Sequence, residues 1–268
     1  MRRSRFTAYV TSLLLAAGLA LTGAMTAQAS QLAATGGYVA LGDSYSSGVG
    51  SGSYISSSGS CDRSTKAYPY LWAAAHSPST FDFMACSGAR TGDVLANQLG
   101  TLSGSTGLVS ISIGGNDAGF SDVMTTCVLQ SDSSCLSRIA TAKAYVDSTL
   151  PGLLDKVYST ISAKAPAAHV VVLGYPRFYK LGTTCLGLSA TKRSAINGAA
   201  DYLDAALAKR AADHGFTYGD VRTTFTGHEI CSGGSWLHSL NLLDIGESYH
   251  PTAAGQSGGY LPVLTGAV

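Results

Sequence analysis

Apolar residues along this chain fall into short runs bounded by glycine and polar turns. Tyr38-Val39-Ala40-Leu41, Phe81-Asp82-Phe83-Met84, Leu108-Val109-Ser110-Ile111-Ser112-Ile113 and His169-Val170-Val171-Val172-Leu173-Gly174 read as buried strands. They are rich in β-branched and aromatic residues, which suit a covered, pleated surface. Phe216-Thr217-Tyr218-Gly219-Asp220-Val221 is a weaker fifth. Helical patterns separate them: Pro69 to His76, Thr91 to Leu99, a long amphipathic stretch from Ser137 to Lys164 with a break near Pro151, Ser189 to His214, and Thr252 to Leu261. Ser189 suits an N-cap and Gly215 the position just past a helix end. Strands alternating with helices predict an α/β fold with a parallel sheet covered on both faces. The chain has no internal repeat, and the Ser/Gly-rich run 51–60 reads as a surface loop.

The first residues read differently. Met1-Arg2-Arg3-Ser4-Arg5 is basic, Leu13 to Leu21 is apolar, and Ala27-Gln28-Ala29 is a small-x-small exit. That order describes a secretory signal peptide over residues 1–29, with a cleavage site near Ala33 or Ala34 as the alternative. A membrane anchor is the rival reading, but Thr22 and Gly23 break the apolar run well short of the ~20 residues a span needs. No later segment is long and apolar enough, so integral membrane association is not expected. Residues 30–268 are then one secreted, extracellular domain, expected as a monomer.

The 268 residues carry a formal charge of +1. Loss of Arg2, Arg3 and Arg5 leaves the mature chain weakly negative, with no electrostatic case for nucleic acid or an anionic membrane. Six cysteines remain: Cys61, Cys86, Cys127, Cys135, Cys185 and Cys231. An even count on an exported chain points to three disulfides, for which about 15 pairings exist. Pairing in sequence order closes each loop locally and is the expected one. Zinc binding is the competitor, but there is no C-x-x-C pair and no histidine at ligand spacing.

Ligand sites on open parallel sheets lie beyond the carboxyl ends of the strands, and four polar clusters fall there: Gly42-Asp43-Ser44-Tyr45-Ser46, Cys86-Ser87-Gly88-Ala89-Arg90, Gly114-Gly115-Asn116-Asp117 and Glu247-Ser248-Tyr249-His250-Pro251. Together they suit acyl transfer. A serine hydroxyl needs a base to take its proton; Ser44 is the candidate nucleophile and His250 the candidate base. A third group should hold the imidazole. Glu247 is the carboxylate candidate, and a backbone carbonyl near residues 247 or 248 the alternative. The backbone N–H groups of Ser44 and Gly88 and the side-chain amide of Asn116 are candidate oxyanion donors, with Gly88 letting the backbone approach without a Cβ in the way. This chemistry calls for no metal and no cofactor.

The four blocks, in this order, resemble the SGNH or GDSL hydrolase family, and most closely the extracellular GDSL lipases of streptomycetes, which share the Tyr-Val-Ala-Leu-Gly-Asp-Ser-Tyr-Ser-Ser-Gly opening and a three-disulfide layout. Gly42-Asp43-Ser44 matches the first block, Gly88 the second, Gly114-Gly115-Asn116-Asp117 the third and His250 the last. The resemblance implies a flavodoxin-like three-layer α/β/α sandwich around a five-stranded parallel sheet, and a carboxylic ester hydrolase acting on lipid or other acyl esters. One departure stands out: the family pattern usually has Asp three residues before the histidine, where this chain has Glu247.

Other features have ordinary readings. Asp43 and Asp117 are taken as structural turn residues, and His76, His169, His214, His228 and His238 as unconnected with the chemistry. Tyr45, Phe178 and Tyr179 fit an acyl site or the core, with core expected. Gly255-Gln256-Ser257-Gly258-Gly259 formally fits the nucleophile elbow of another hydrolase fold, but no histidine follows Ser257, as that fold requires. Two other functions remain in view: a carbohydrate acetyl esterase on the same machinery, and a non-catalytic secreted binding domain.

Overall fold

Five short apolar segments pair in parallel as one sheet, in the order β2-β1-β3-β4-β5. They are β1 (Gly37–Gly42), β2 (Phe81–Phe83), β3 (Thr106–Ser112), β4 (His169–Leu173) and β5 (Thr217–Gly219). The structure is a computed structural model that describes residues 36–268; the expected signal peptide, residues 1–29, lies outside the described residues. Every residue of β1 and β3 is buried, whereas the edge strands β2 and β5 are only three residues long and partly exposed. Continuous apolar runs in the central strands thus reflect a sheet covered on both faces. Helices Tyr68–His76 and Leu261–Ala267 pack together in one layer, and Thr91–Asn97, Leu150–Lys164 and Ala190–Asp213 in the other. The strand order is that of the flavodoxin-like fold, whose ligand crevice lies where the winding reverses, between β1 and β3.

Several boundaries follow from local chemistry. Ser189 caps its helix by accepting from Lys192 N at 3.2 Å, and Gly215 takes φ 70° just past the end. The stretch expected as one interrupted helix is two, Asp132–Ser148 and Leu150–Lys164. Pro151 lacks the N–H that would continue the ladder, so the chain breaks at Thr149 and restarts with proline in its first turn.

Two elements depart from expectation. Helix Phe120–Leu129 was not anticipated. The last helix runs Leu261–Ala267, preceded by a widened π turn over Gly255–Tyr260. Pro262 has no N–H to give to the preceding turn, which opens the ladder there. Gly258 and Gly259 lie against Trp236 and Phe225; an added Cβ would come within 2.6 and 2.2 Å of those rings. Ser257 is an exposed helical serine whose hydroxyl donates to Ala253 O, far from any base.

The disulfides are Cys61–Cys86, Cys127–Cys135 and Cys185–Cys231, the expected pairing. Among the described residues no helix is long and apolar enough to cross a membrane.

Candidate active site

The nucleophile turn begins where β1 stops. Gly42 has φ 123°, and a Cβ there would sit 2.4 Å from Ser112 O, so the close approach of β1 to β3 requires glycine. Asp43 is the N-cap of the short helix Ser44–Ser47, accepting from Tyr45 N at 3.0 Å. Ser44 is the first helical residue, so its N–H has no intrahelical acceptor. Gly48 ends the turn at φ 91°.

Asp43 does more than cap. It is 1 % exposed, and its carboxylate also accepts from Ser112 Oγ at 2.7 Å and Tyr175 Oη at 2.5 Å. Burial raises its pKa to about 6, opposed by these hydrogen bonds. Tyr175 Oη in turn accepts from Gly115 N at 3.2 Å. One buried carboxylate thereby fixes the serine turn, β3 and the glycine next to Asn116.

His250 arrives from the opposite end of the sequence. Its Nε2 lies 2.7 Å from Ser44 Oγ. The histidine segment is tied by the Leu237–Pro251 bridge, by His238 N donating to His250 O at 2.9 Å, and by Tyr45 Oη donating to Tyr249 O at 2.9 Å. Tyr249 is held at φ 69°, an uncommon conformation for a bulky residue. Tyr45, one residue past Ser44, thus clamps the chain one residue before His250. Nothing in its local sequence marks that role.

The structure corrects the placement of Glu247. Its carboxylate does not meet His250; Oε1 accepts from Tyr54 Oη at 2.7 Å, near the surface. The Nδ1 atom of His250 is buried and forms no hydrogen bond. Burial lowers the His250 pKa to about 4, and the main-chain carbonyls of Ser248, Glu247 and Gly246 pull it partly back up. The polar surroundings of the ring on that side are backbone, not carboxylate.

Gly88 and Asn116 line the same recess as Ser44 and His250. Gly88 has φ 74°, and a Cβ there would meet nothing within 4 Å. The positive φ favours glycine here, and the space where a Cβ would stand is open. Its loop is held by the Cys61–Cys86 bridge and by Ser87 N donating to Cys61 O at 3.1 Å. Asn116 Nδ2 donates to Ala89 O at 3.0 Å, leaving its second hydrogen free. Asp117 accepts from Thr91 N and Thr91 Oγ1 and so pins the third block to the second.

Behind Ser44 opens a narrow apolar cavity of about 70 Å³, lined among others by Phe120, Val123, Met124, Phe178, Ile196 and Leu203. The unanticipated helix supplies three of these. Its apolar residues Phe120, Val123, Met124 and Cys127 follow helical spacing, so the signal was present in the sequence. Tyr45 and Phe178 are core residues, as expected, yet also line this cavity, while Tyr179 packs near Tyr249 instead.

Comparisons with known proteins identify the family. The GDSL-like lipase/acylhydrolase family model matches residues 40–257. Lipase 1 of Streptomyces coelicolor is 80 % identical over the full length of both chains. The crystal structure of phospholipase A1 from Streptomyces albidoflavus superposes with a TM-score of 0.86 at 68 % identity, covering 87 % of this chain and all of that one. The extracellular lipase of Streptomyces rimosus superposes with a TM-score of 0.86 at 67 % identity, with the same coverage. The chain belongs to the GDSL-like lipase/acylhydrolase family and is an ester hydrolase.

Proposed function

We propose that Ser44 is the nucleophile and His250 the general base of a secreted lipase that cleaves acyl esters of lipids, phospholipids among them. The observation that carries this reading is the 2.7 Å contact between Ser44 Oγ and His250 Nε2, in a recess shared with Gly88 and Asn116. Ser44 Oγ attacks the ester carbonyl as His250 Nε2 takes its proton. The oxyanion is met by the N–H groups of Ser44 and Gly88 and the free amide hydrogen of Asn116; one such donor is worth about 2.7–4 kcal/mol in the transition state. His250 returns the proton to the leaving alcohol, and an acyl-Ser44 ester remains. Water, deprotonated by His250, then releases the acid and restores the serine.

His250 Nδ1 is unpaired in the resting structure, and the nearby main-chain carbonyls of residues 246–248 are the partners it takes up when the imidazole is protonated, in place of a carboxylate. The apolar cavity beside Ser44 supports a hydrocarbon acyl chain over the small acetyl group of a carbohydrate ester. The signal peptide of residues 1–29, export, and a monomeric domain over 30–268 complete the proposal, which needs no metal. The test is Ser44→Ala: turnover of a chromogenic acyl ester should vanish while thermal melting is unchanged. Undiminished turnover rejects the assignment.

A further inference from the structure

We propose that the mouth of the catalytic recess docks on a neutral or zwitterionic lipid layer, through the loop of residues 240–245 together with Leu129. This rests on the lipase reading above and adds to it the surface on which the enzyme works. Among the described residues, five large apolar side chains are more than two-thirds exposed: Leu129 at 76 %, Leu186 at 95 %, Leu242 at 76 %, Leu243 at 100 % and Ile245 at 68 %. Leu129, Leu242 and Ile245 line the recess that holds Ser44 and His250, and Leu243 lies in the chain between two of them. None of the four packs on the hydrophobic core. Single exposed leucines are ordinary, but a cluster around an active-site opening marks an interaction surface.

The loop is built to hold these side chains outward. Its polar groups are used in its own turns: Asn241 N donates to Ser248 Oγ at 2.9 Å, Asn241 Oδ1 accepts from Leu243 N at 3.0 Å, and Asp244 Oδ1 accepts from Glu247 N at 3.4 Å. What remains to face solvent is mostly hydrocarbon.

Position and charge select the occupant. The rim encircles the opening through which an acyl ester must pass to reach Ser44. A lipid ester starts in a lipid layer, so contact of the rim with that layer lets it pass without crossing water. Anionic layers are recognised by clustered Lys and Arg. The recess lining contains neither, and residues 239–249 contain neither, but do carry Asp244 and Glu247. An uncharged or zwitterionic surface fits; an anionic one does not.

The test uses Leu243→Asp and Leu243→Ser, because Leu243 is fully exposed and outside the recess lining. In the Ser44→Ala background, binding to phosphatidylcholine vesicles is measured by co-sedimentation, with and without phosphatidylglycerol. In the active protein, turnover of a soluble acetyl ester and of vesicle-borne phospholipid are compared. Leu243→Asp is expected to weaken vesicle binding about tenfold or more, the loss of one buried leucine against lipid. Vesicle-borne turnover should fall in parallel, and soluble-ester turnover should not change. Binding by the parent should be indifferent to salt between about 0.05 and about 0.5 M and should not improve with phosphatidylglycerol. Unaltered vesicle binding in both variants, or binding that requires phosphatidylglycerol, overturns the proposal. So does a parent dimer that Leu243→Asp dissociates, since the occupant is then a second copy. Failure of the underlying lipase reading shows separately, as a parent protein inactive on the soluble ester.

Discussion

Glu247→Gln keeps the shape of the side chain and removes its charge. Were that carboxylate the partner of His250, the substitution would cost about 10⁴ in kcat, as loss of a triad carboxylate does, or ~5.5 kcal/mol of transition-state stabilisation. The structure leads to a much smaller effect. Glu247 Oε1 accepts one hydrogen bond, from Tyr54 Oη at 2.7 Å, and His250 Nδ1 has no carboxylate beside it. Glutamine can still accept from Tyr54, so only the charge assistance of one solvent-facing bond is lost, about 0.5–1 kcal/mol. An effect on kcat/KM within about fivefold follows. The assay is kcat and KM on a soluble chromogenic ester at neutral pH, with Tyr54→Phe and the double variant alongside. Tyr54 Oη also accepts from Gly50 N at 2.9 Å, and Gly50 lies against His250, so any effect of Glu247 should pass through Tyr54. The double variant should then be no worse than the worse single one. A thousandfold fall in kcat for Glu247→Gln, with unchanged melting, would refute the backbone-carbonyl assignment.

Further outcomes follow from the buried groups. With the His250 pKa lowered to about 4, the imidazole is already neutral at mildly acidic pH; kcat/KM against pH should be flat through 6–7 and fall near pH 4, and a limb at the ordinary histidine value would contradict the burial argument. The same shift has a stability consequence. The folded pKa lies below the unfolded value, so the unfolded chain takes up a proton first as pH falls. His250 alone contributes about 3 kcal/mol, present above the ordinary histidine pKa and lost between about pH 6.5 and 4. Buried Asp43 and Asp204, with pKa raised to about 6 and about 7, act in the opposite sense, so the contribution is read as the difference between denaturant melts of the parent and of His250→Gln across that range. Tyr175→Phe removes the hydroxyl that joins Asp43 to Gly115 N. It should cost about 1–3 kcal/mol by leaving buried polar groups unpaired, seen as a Tm lower by about 2–12 °C for a domain of this size, with kcat reduced more than KM is raised because Asn116 is less firmly held.

The sheet was legible in the sequence because its central strands are covered on both faces, which demands unbroken apolar runs such as Val170-Val171-Val172. The pairing of Ser44 with His250 was legible because parallel strands deliver their following loops to one edge. At Glu247 the sequence left two readings open for a physical reason. Spacing of three residues brings either its side chain or its backbone carbonyl toward the ring, and the choice is made by Tyr54, 193 positions away. Tyr175 and Tyr45 were invisible for a related reason: their roles are hydroxyl contacts across 132 and 204 positions, with no local signature. Helix Phe120–Leu129 is different, since its apolar periodicity at Phe120, Val123, Met124 and Cys127 is present in the sequence directly after the Gly-Asn-Asp turn.

The Cys61–Cys86 bridge ends two residues before Gly88 and ties that loop to a segment 25 residues upstream. Cys86 N also donates to Gly42 O at 3.0 Å, so the bridged loop is pinned to the end of β1 beside Ser44, whereas His250 is held from the other side through Tyr45. Gly88, the proposed oxyanion donor, thus sits just past a residue held by both a covalent tether and a backbone hydrogen bond to the serine strand. Reduction of the bridge should therefore loosen Gly88 before it parts Ser44 from His250, so that ester turnover falls on mild reduction while the fold persists.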